Sequence, residues 1–331
     1  MQLERRALYN SLRMNWLANS TLKVEPWQVE DYRELDLSLL FDRLKKYQID
    51  LNKQSFQLYT ENVDSPEDLT DEFLAENEMD NESQDEIYLL IFELWRRFAT
   101  EKKSLSIFLD ELDHQIFLYD SKKAKSEGAI QDLLEELSLL LEDNIDSGID
   151  PHSIFETLSN SCANDLESFL YDYISQQIET EDYSYASELL DDFISYVPNT
   201  KWFEFLKAEI QAIQDPIAAN QIIHKLLKES AKNDDLEFNL EIFSFIAKAG
   251  DYDTFINLVK KSLPLIKTEE DFIDLAFLSM EYFDRLDQDL HKESIKKIVD
   301  KRANIPQESY FSQKDPHIAE FLKICENHFN N

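Results

Sequence analysis

Apolar residues recur along this chain at helical spacing. Ile87, Leu90, Ile91, Leu94, Trp95 and Phe98 form one stripe at the i, i+3, i+4, i+7 interval of a buried helix face. Leu105, Phe108, Leu109, Leu112 and Ile116 repeat the pattern. So do Ile130, Leu133, Leu134, Leu137, Leu140 and Leu141, with Gly128 in the break before them. Start signals agree with these stripes. Ser83 with Glu86 three residues on has the form of a capping box, in which each side chain bonds the other's backbone N–H. Ser65-Pro66-Glu67-Asp68 reads as an N-cap, a proline in the first turn and two acids at the positive end of a helix. No segment alternates with the period of a strand, and no Asn-Gly or Asp-Gly pair offers a hairpin turn. The pattern predicts an all-α fold.

Two polar stretches interrupt the helices. Glu76 to Gln84 (ENEMDNESQ) reads as an exposed acidic loop. Ser121 to Glu127 (SKKAKSE) reads as a connector, which places a boundary between a helical N-terminal domain, residues 1–124, and a second domain, residues 125–331.

The second domain carries an internal period. Asp182-Tyr183 and Asp251-Tyr252 open similar segments 69 residues apart, and copies starting at Asp215 and Asp287 fill in a spacing of 33 to 36 residues. Aligned on those aspartates, Leu190, Ile223, Val259 and Ile295 share a column. Phe193, Leu226, Ser262 and Ile298 share a second, and Ile194, Leu227, Leu263 and Val299 a third. A helix preceding each start adds Tyr173, Leu206, Ile242 and Leu278. Two helices per unit at this period are the mark of an α-solenoid, in which stacked pairs bury a continuous core.

Residues 163–302 resemble the tetratricopeptide repeat. Gly250-Asp251-Tyr252 is similar to that family's helix–turn–helix corner, and Ala186 and Pro198 match its small residue and terminal proline. The small position then reads Ala219, Phe255 and His291, and the inter-helix glycine survives only as Gly250. The resemblance implies helix pairs whose first helices line a concave groove. Carried over by position, the partner-binding face falls at Tyr171, Lys201, Glu204, Leu240, Lys248 and Met280.

Composition narrows the chemistry. With three glycines in 331 residues, none within 15 positions of another, no G-x-G-x-x-G and no G-x-x-x-x-G-K-[ST] phosphate loop can be written, nor a G-x-S-x-G elbow. Hydrophobic residues make up 43%, enough for a substantial core, so the chain is not a disordered acidic tail. Cys162 and Cys325 give no C-x-x-C pair, and reduced thiols in the cytoplasm are expected. Arg5, Arg6 and Arg13 are not followed by a signal-peptide apolar run. The longest unbroken run, Ile87 to Phe92, is far short of the ~20 residues that span a bilayer.

Charge is concentrated. Residues 1–53 hold nine basic and eight acidic side chains, residues 54–181 hold 7 and 32, and residues 182–331 hold 17 and 28, for a net −35. Such a surface repels nucleic-acid phosphates and anionic lipid and attracts basic partners, while also serving solubility.

Three constellations bear on metals. Glu111-x-x-His114 has the spacing of a di-iron ligand pair, but the second such motif is missing. Cys325, His328 and His317 cluster near the C-terminal end without a fourth ligand at zinc spacing; Cys325 reads as a small buried hydrophobe. Asp143-Asn144-Ile145-Asp146-Ser147-Gly148 puts isoleucine where a calcium loop needs oxygen, so it reads as a helix end with glycine after it and Asp150-Pro151 opening the next helix. No catalytic, metal or cofactor residue is therefore expected.

The sequence points to a cytoplasmic, non-enzymatic interaction or scaffold protein that binds a peptide or helix of a protein partner, with no nucleic acid and no membrane. An acidic nucleic-acid mimic that inhibits a basic protein is the alternative, and a carboxylate-rich metal-dependent hydrolase the second alternative.

Overall fold

Nine consecutive residues of one helix, Ile87 to Trp95, are buried, and that helix, α6 (Asn81–Phe98), lies at the centre of the N-terminal core. A helix buried on all sides needs neighbours on all sides. These include α3 (Leu37–Lys46), α4 (Lys53–Thr60), α5 (Pro66–Ala75) and a short 3-10 turn at Tyr32–Glu34. The polar groups of α6 are satisfied where they are buried. Glu93 takes Arg96 and Arg97 from its own next turn. The Tyr88 hydroxyl donates to Glu67 at 2.8 Å, and the other Glu67 oxygen accepts from Ser106 at 3.0 Å.

This computed structural model describes residues 3–75, 79–123, 128–229 and 235–327; among them are eighteen α-helices and no strand, beyond one isolated bridge between Thr268 and Tyr310. The chain is all-α, as its periodicity predicts. None of these helices is long and apolar enough to cross a membrane. The remaining N-terminal helices are α1 (Leu3–Ala18), α2 (Pro26–Val29), α7 (Leu105–Asp120), α8 (Gly128–Asp146) and α9 (Pro151–Asn160).

The expected loop at Glu76–Gln84 is corrected. Residues 76–78 lie outside the described residues, and Asn81 to Gln84 already belong to α6. Asp80 is the cap, its carboxylate accepting from Ser83 N at 2.8 Å, so Ser83 sits in the first turn and is not the N-cap. Aspartate caps as well as serine does, and its charge suits the helix N-terminus.

Contacts divide the chain into Met1–Asp172 with Ser195–Val197, and Tyr173–Ile194 with Pro198–Asn331. The expected boundary at 124/125 lies outside the described residues, and α8 and α9 belong to the first of these units. The division runs through α10 (Leu166–Glu179).

The second unit is a run of helix pairs. α11 (Tyr183–Phe193) is followed by α12 (Thr200–Gln214) with α13 (Pro216–Glu229), α14 (Leu236–Ala249) with α15 (Tyr252–Ser262), and α16 (Glu269–Arg285) with α17 (Asp289–Arg302). α18 (Pro316–Glu326) packs on α15 and α17. First helices also pack on first helices, α12 on α14 and α14 on α16, in the manner of a solenoid. Two of the columns predicted from the period are wholly core, while Ile194, Leu278 and Val299 of the other two are half-buried. Leu190, Ile223, Val259 and Ile295 are all buried, and so are Phe193, Leu226, Ser262 and Ile298.

Three of the four aligned aspartates do the same work. Asp182 accepts from Tyr185 N, Asp215 from Ile217 N and Ala218 N, and Asp251 from Thr254 N, each capping a second helix. Asp287 departs: it has φ 55° and ends α16, while Gln288 precedes α17 without a side-chain cap bond. The small position is filled twice by rings that stack on α16. Phe255 lies 3.9 Å from Tyr282 and His291 lies 4.7 Å from Phe283.

Candidate functional site

The first helices of the second unit carry the partially exposed side chains that the period leaves over. On α16 the buried side is Phe272, Leu275, Ala276, Ser279, Tyr282 and Phe283. The opposite stripe runs Glu270, Ile273, Asp274, Phe277, Met280 and Glu281, at i, i+3, i+4, i+7 spacing. On α14 the corresponding stripe is Glu237, Leu240, Glu241, Ser244 and Lys248. Of the expected face residues, Leu240, Met280 and Glu204 are half-buried and Lys248 is exposed. Lys201 is a structural tie. Its Nζ lies 3.0 Å from Asp235 at the start of α14 and 4.7 Å from the Phe238 ring centre. Tyr171 is half-buried and belongs to the first unit, whereas the other five belong to the second.

Sequence reasoning missed Glu209, on α12. Burial pushes its carboxyl up to about 7, Glu241 on α14 pushes the same way, and Lys248 offsets part of this. A carboxylate in a chain with 68 of them carries no sequence signal of its own. Phe277, 48% exposed, was also passed over, because one aromatic on a predicted helix looks like core until its helix is placed.

Each metal constellation has another occupation. Glu111 accepts from Arg33 at 2.8 Å and from Gln115 at 2.9 Å, so both its oxygens are engaged. His114 is held below its usual range by burial and by Arg33. Beside them Asp110 binds Arg6, Arg33 and Asn10. The cleft at this cluster measures about 40 Å³, space for a few waters. His317 faces Arg302 at 2.8 Å, Cys325 is fully buried, with its thiol pushed up by desolvation, and His328 lies outside the described residues. Asp143 to Gly148 ends α8 as the sequence suggests. Gly148, at φ 87°, donates to Ile145 O, Ile149 donates to Asn144 O, and Asp150 caps α9. Among the described residues, no group of three or more His, Cys, Asp or Glu side chains is placed to hold a metal ion.

The first unit also holds a groove that the sequence did not announce. An open groove of about 790 Å³ lies between α1, α2 and α3, lined by Trp16, Leu17, Val24 and Trp27. Its charged lining is largely self-paired, Arg13 with Asp31 at 2.6 Å and Arg43 with Glu30 at 2.6 Å. Compared with known family models, curated proteins and solved structures, the chain matches none of them.

Proposed function

We propose that this protein is a non-enzymatic, cytoplasmic interaction scaffold whose second unit, a tetratricopeptide-like array, binds a segment of a protein partner along its first helices. One observation carries the reading. Four successive second helices, starting at Tyr183, Pro216, Tyr252 and Asp289, bury the same column, while α12, α14 and α16 pack side by side and keep a partially exposed stripe. A repeated stripe of this kind presents side chains at regular intervals to an extended or helical ligand. The stripe mixes apolar, acidic and basic groups, as recognition surfaces do.

Affinity capture of partners by the full chain, repeated with Glu204→Lys, Leu240→Ala and the acidic-segment variant Glu76→Lys with Glu78→Lys, tests this. Loss of a captured partner with the helix variants and retention with the acidic-segment variant supports the array. Loss with the acidic-segment variant alone rules it out and favours the acidic-mimic alternative.

A further inference from the structure

The exposed stripe of α16 is unusual for a helix that is otherwise well packed. Ile273 and Met280 are half-buried, and Phe277 between them is 48% exposed. Carboxylates border all three: Glu270, Asp274 and Glu281 on the same helix. α14 repeats part of the arrangement, with Leu240 between Glu237 and Glu241, and carries Ser244 and Lys248 beyond. α14 and α16 are the first helices of successive pairs and pack on each other. Aligning their first residues, Leu236 and Glu269, sets Ile273 at the position of Leu240, Asp274 at that of Glu241, and Phe277 at that of Ser244. An apolar residue followed by an acid therefore recurs on adjacent helices, with a phenylalanine beyond. Glu237, Asp274 and Glu281 form no ion pair among the described residues. The Asp274 carboxyl is pushed up by burial and by Glu270 and Asp271, and Lys248 is the one basic side chain on the two stripes, against five carboxylates.

We infer that the α14–α16 face docks a basic amphipathic helix, with Leu240, Ile273, Phe277 and Met280 receiving its apolar side and Glu237, Asp274 and Glu281 receiving its lysines or arginines. This rests on the scaffold reading and names the chemistry of the partner. Local and overall charge agree: the face is acidic, and the whole chain carries −35. An acidic or phosphorylated ligand would meet repulsion at both ranges. Apolar anchors hold a bound helix at i, i+3, i+4 and i+7 contacts, and the bordering carboxylates set its approach and register. Aromatic anchors contribute to affinity out of proportion to their number, which makes Phe277 the side chain to remove.

The probe is a synthetic 20-residue peptide of lysine and leucine in amphipathic helical order. A peptide of the same composition in scrambled order and a glutamate–leucine counterpart serve as comparators. Binding to the full chain is read by fluorescence anisotropy at about 0.15 M salt, with circular dichroism confirming that each variant is folded. The ordered basic peptide is expected to bind at least tenfold tighter than either comparator. Phe277→Ala with Met280→Ala should weaken it about tenfold or more, and Asp274→Lys with Glu281→Lys should slow association at low salt. Glu135→Lys with Glu142→Lys, on α8 in the first unit, should change affinity less than twofold. Equal binding of the scrambled peptide, or equal loss with the α8 reversals, would show attraction to the general field alone and overturn the inference. If Glu204→Lys abolishes capture of a natural partner while the α16 variants leave both it and the probe unaffected, the scaffold stands and this face is wrong. If no variant on α12, α14 or α16 affects capture, the scaffold itself fails.

Discussion

Arg33 reaches Asp110, 77 residues away in sequence, and donates from Nη2 to Oδ2 across 2.6 Å. Arg6 binds the other Asp110 oxygen at 2.7 Å, and Asn10 adds a third donor at 2.9 Å. Burial favours the neutral acid here, but the two guanidinium groups and the amide outweigh it and hold Asp110 below the usual carboxylate range. The carboxylate joins α1, the Tyr32–Glu34 turn and α7.

Asp110→Asn should therefore cost about 3–5 kcal/mol, because it leaves Arg33, 12% exposed, without its buried counter-charge. Urea unfolding of the first-unit signal at pH 7 measures this. A depressed folded-state value means that the Asp110 contribution is present above the ordinary carboxylate value and is lost as pH falls below about 4. The gap between wild type and variant should accordingly narrow in acid. A loss under 1 kcal/mol at pH 7 would show that the cluster relaxes without it.

Helix ends give a second prediction. Gln48, Lys122, Glu181 and Asp287 all have positive φ, between 55° and 65°. At each, the amide donates three residues back and the following amide five residues back, as Glu181 does to Ile178 O and Asp182 to Gln177 O. This is the helix stop that glycine usually serves, and a side chain in that conformation costs roughly 1 kcal/mol. Glu181→Gly and Gln48→Gly, both at exposed positions, should each stabilise by about 0.5–1 kcal/mol, read as a higher urea midpoint with the slope unchanged. Glu181→Ala should give no such gain.

Gly250 behaves in the opposite way. Its φ is −84°, open to any residue, but a Cβ there would meet Ile246 side-chain atoms at 2.6 Å and its Cα at 2.8 Å. Its carbonyl also accepts from Arg285 at 2.6 Å, so the corner has no room to retreat. Gly250→Ala should cost about 1–3 kcal/mol through overpacking, and a variant as stable as wild type would show that Ile246 can turn aside.

These positions explain what the sequence could reveal. The columns through Leu190 and Phe193 were legible because burial at a fixed period needs only local order. The stops at Glu181 and Asp287 were not, since the signal for such a stop is a glycine that is absent. Asp287 was accordingly aligned as a cap one residue before the helix entry at Gln288. The Arg6–Asp110–Arg33 cluster was illegible because its arginines lie 104 and 77 positions from Asp110 and each member looks like a surface charge alone. Glu111-x-x-His114 was visible as a spacing, but only the fold shows that Arg33 already holds the glutamate. The Trp16–Trp27 groove needed α1 and α2 to be placed before it existed at all.

Glu209 supplies the last prediction, and it concerns pH. Its carboxyl is raised to about 7 by burial, with Glu241 adding and Lys248 opposing. In the unfolded chain the same group titrates near ~4.3. Between those values the folded state keeps a proton that the unfolded state has released. Stability must then fall as pH rises through that window, by about 1–3 kcal/mol for this group. Many other carboxylates of this acidic chain push the same way through general repulsion, so the informative quantity is the difference from a variant. Glu209→Gln keeps the shape and removes the charge. It should match wild type near pH 4.5, exceed it progressively between about pH 5 and 7, and lead by about 1–3 kcal/mol at pH 8 in urea midpoints of the second unit. Glu241→Gln should recover only part of that gain, since burial is the larger cause at Glu209. If Glu209→Gln instead runs parallel to wild type from pH 5 to 8, the carboxylate is already ionised at neutral pH and solvated on the α12–α14 face.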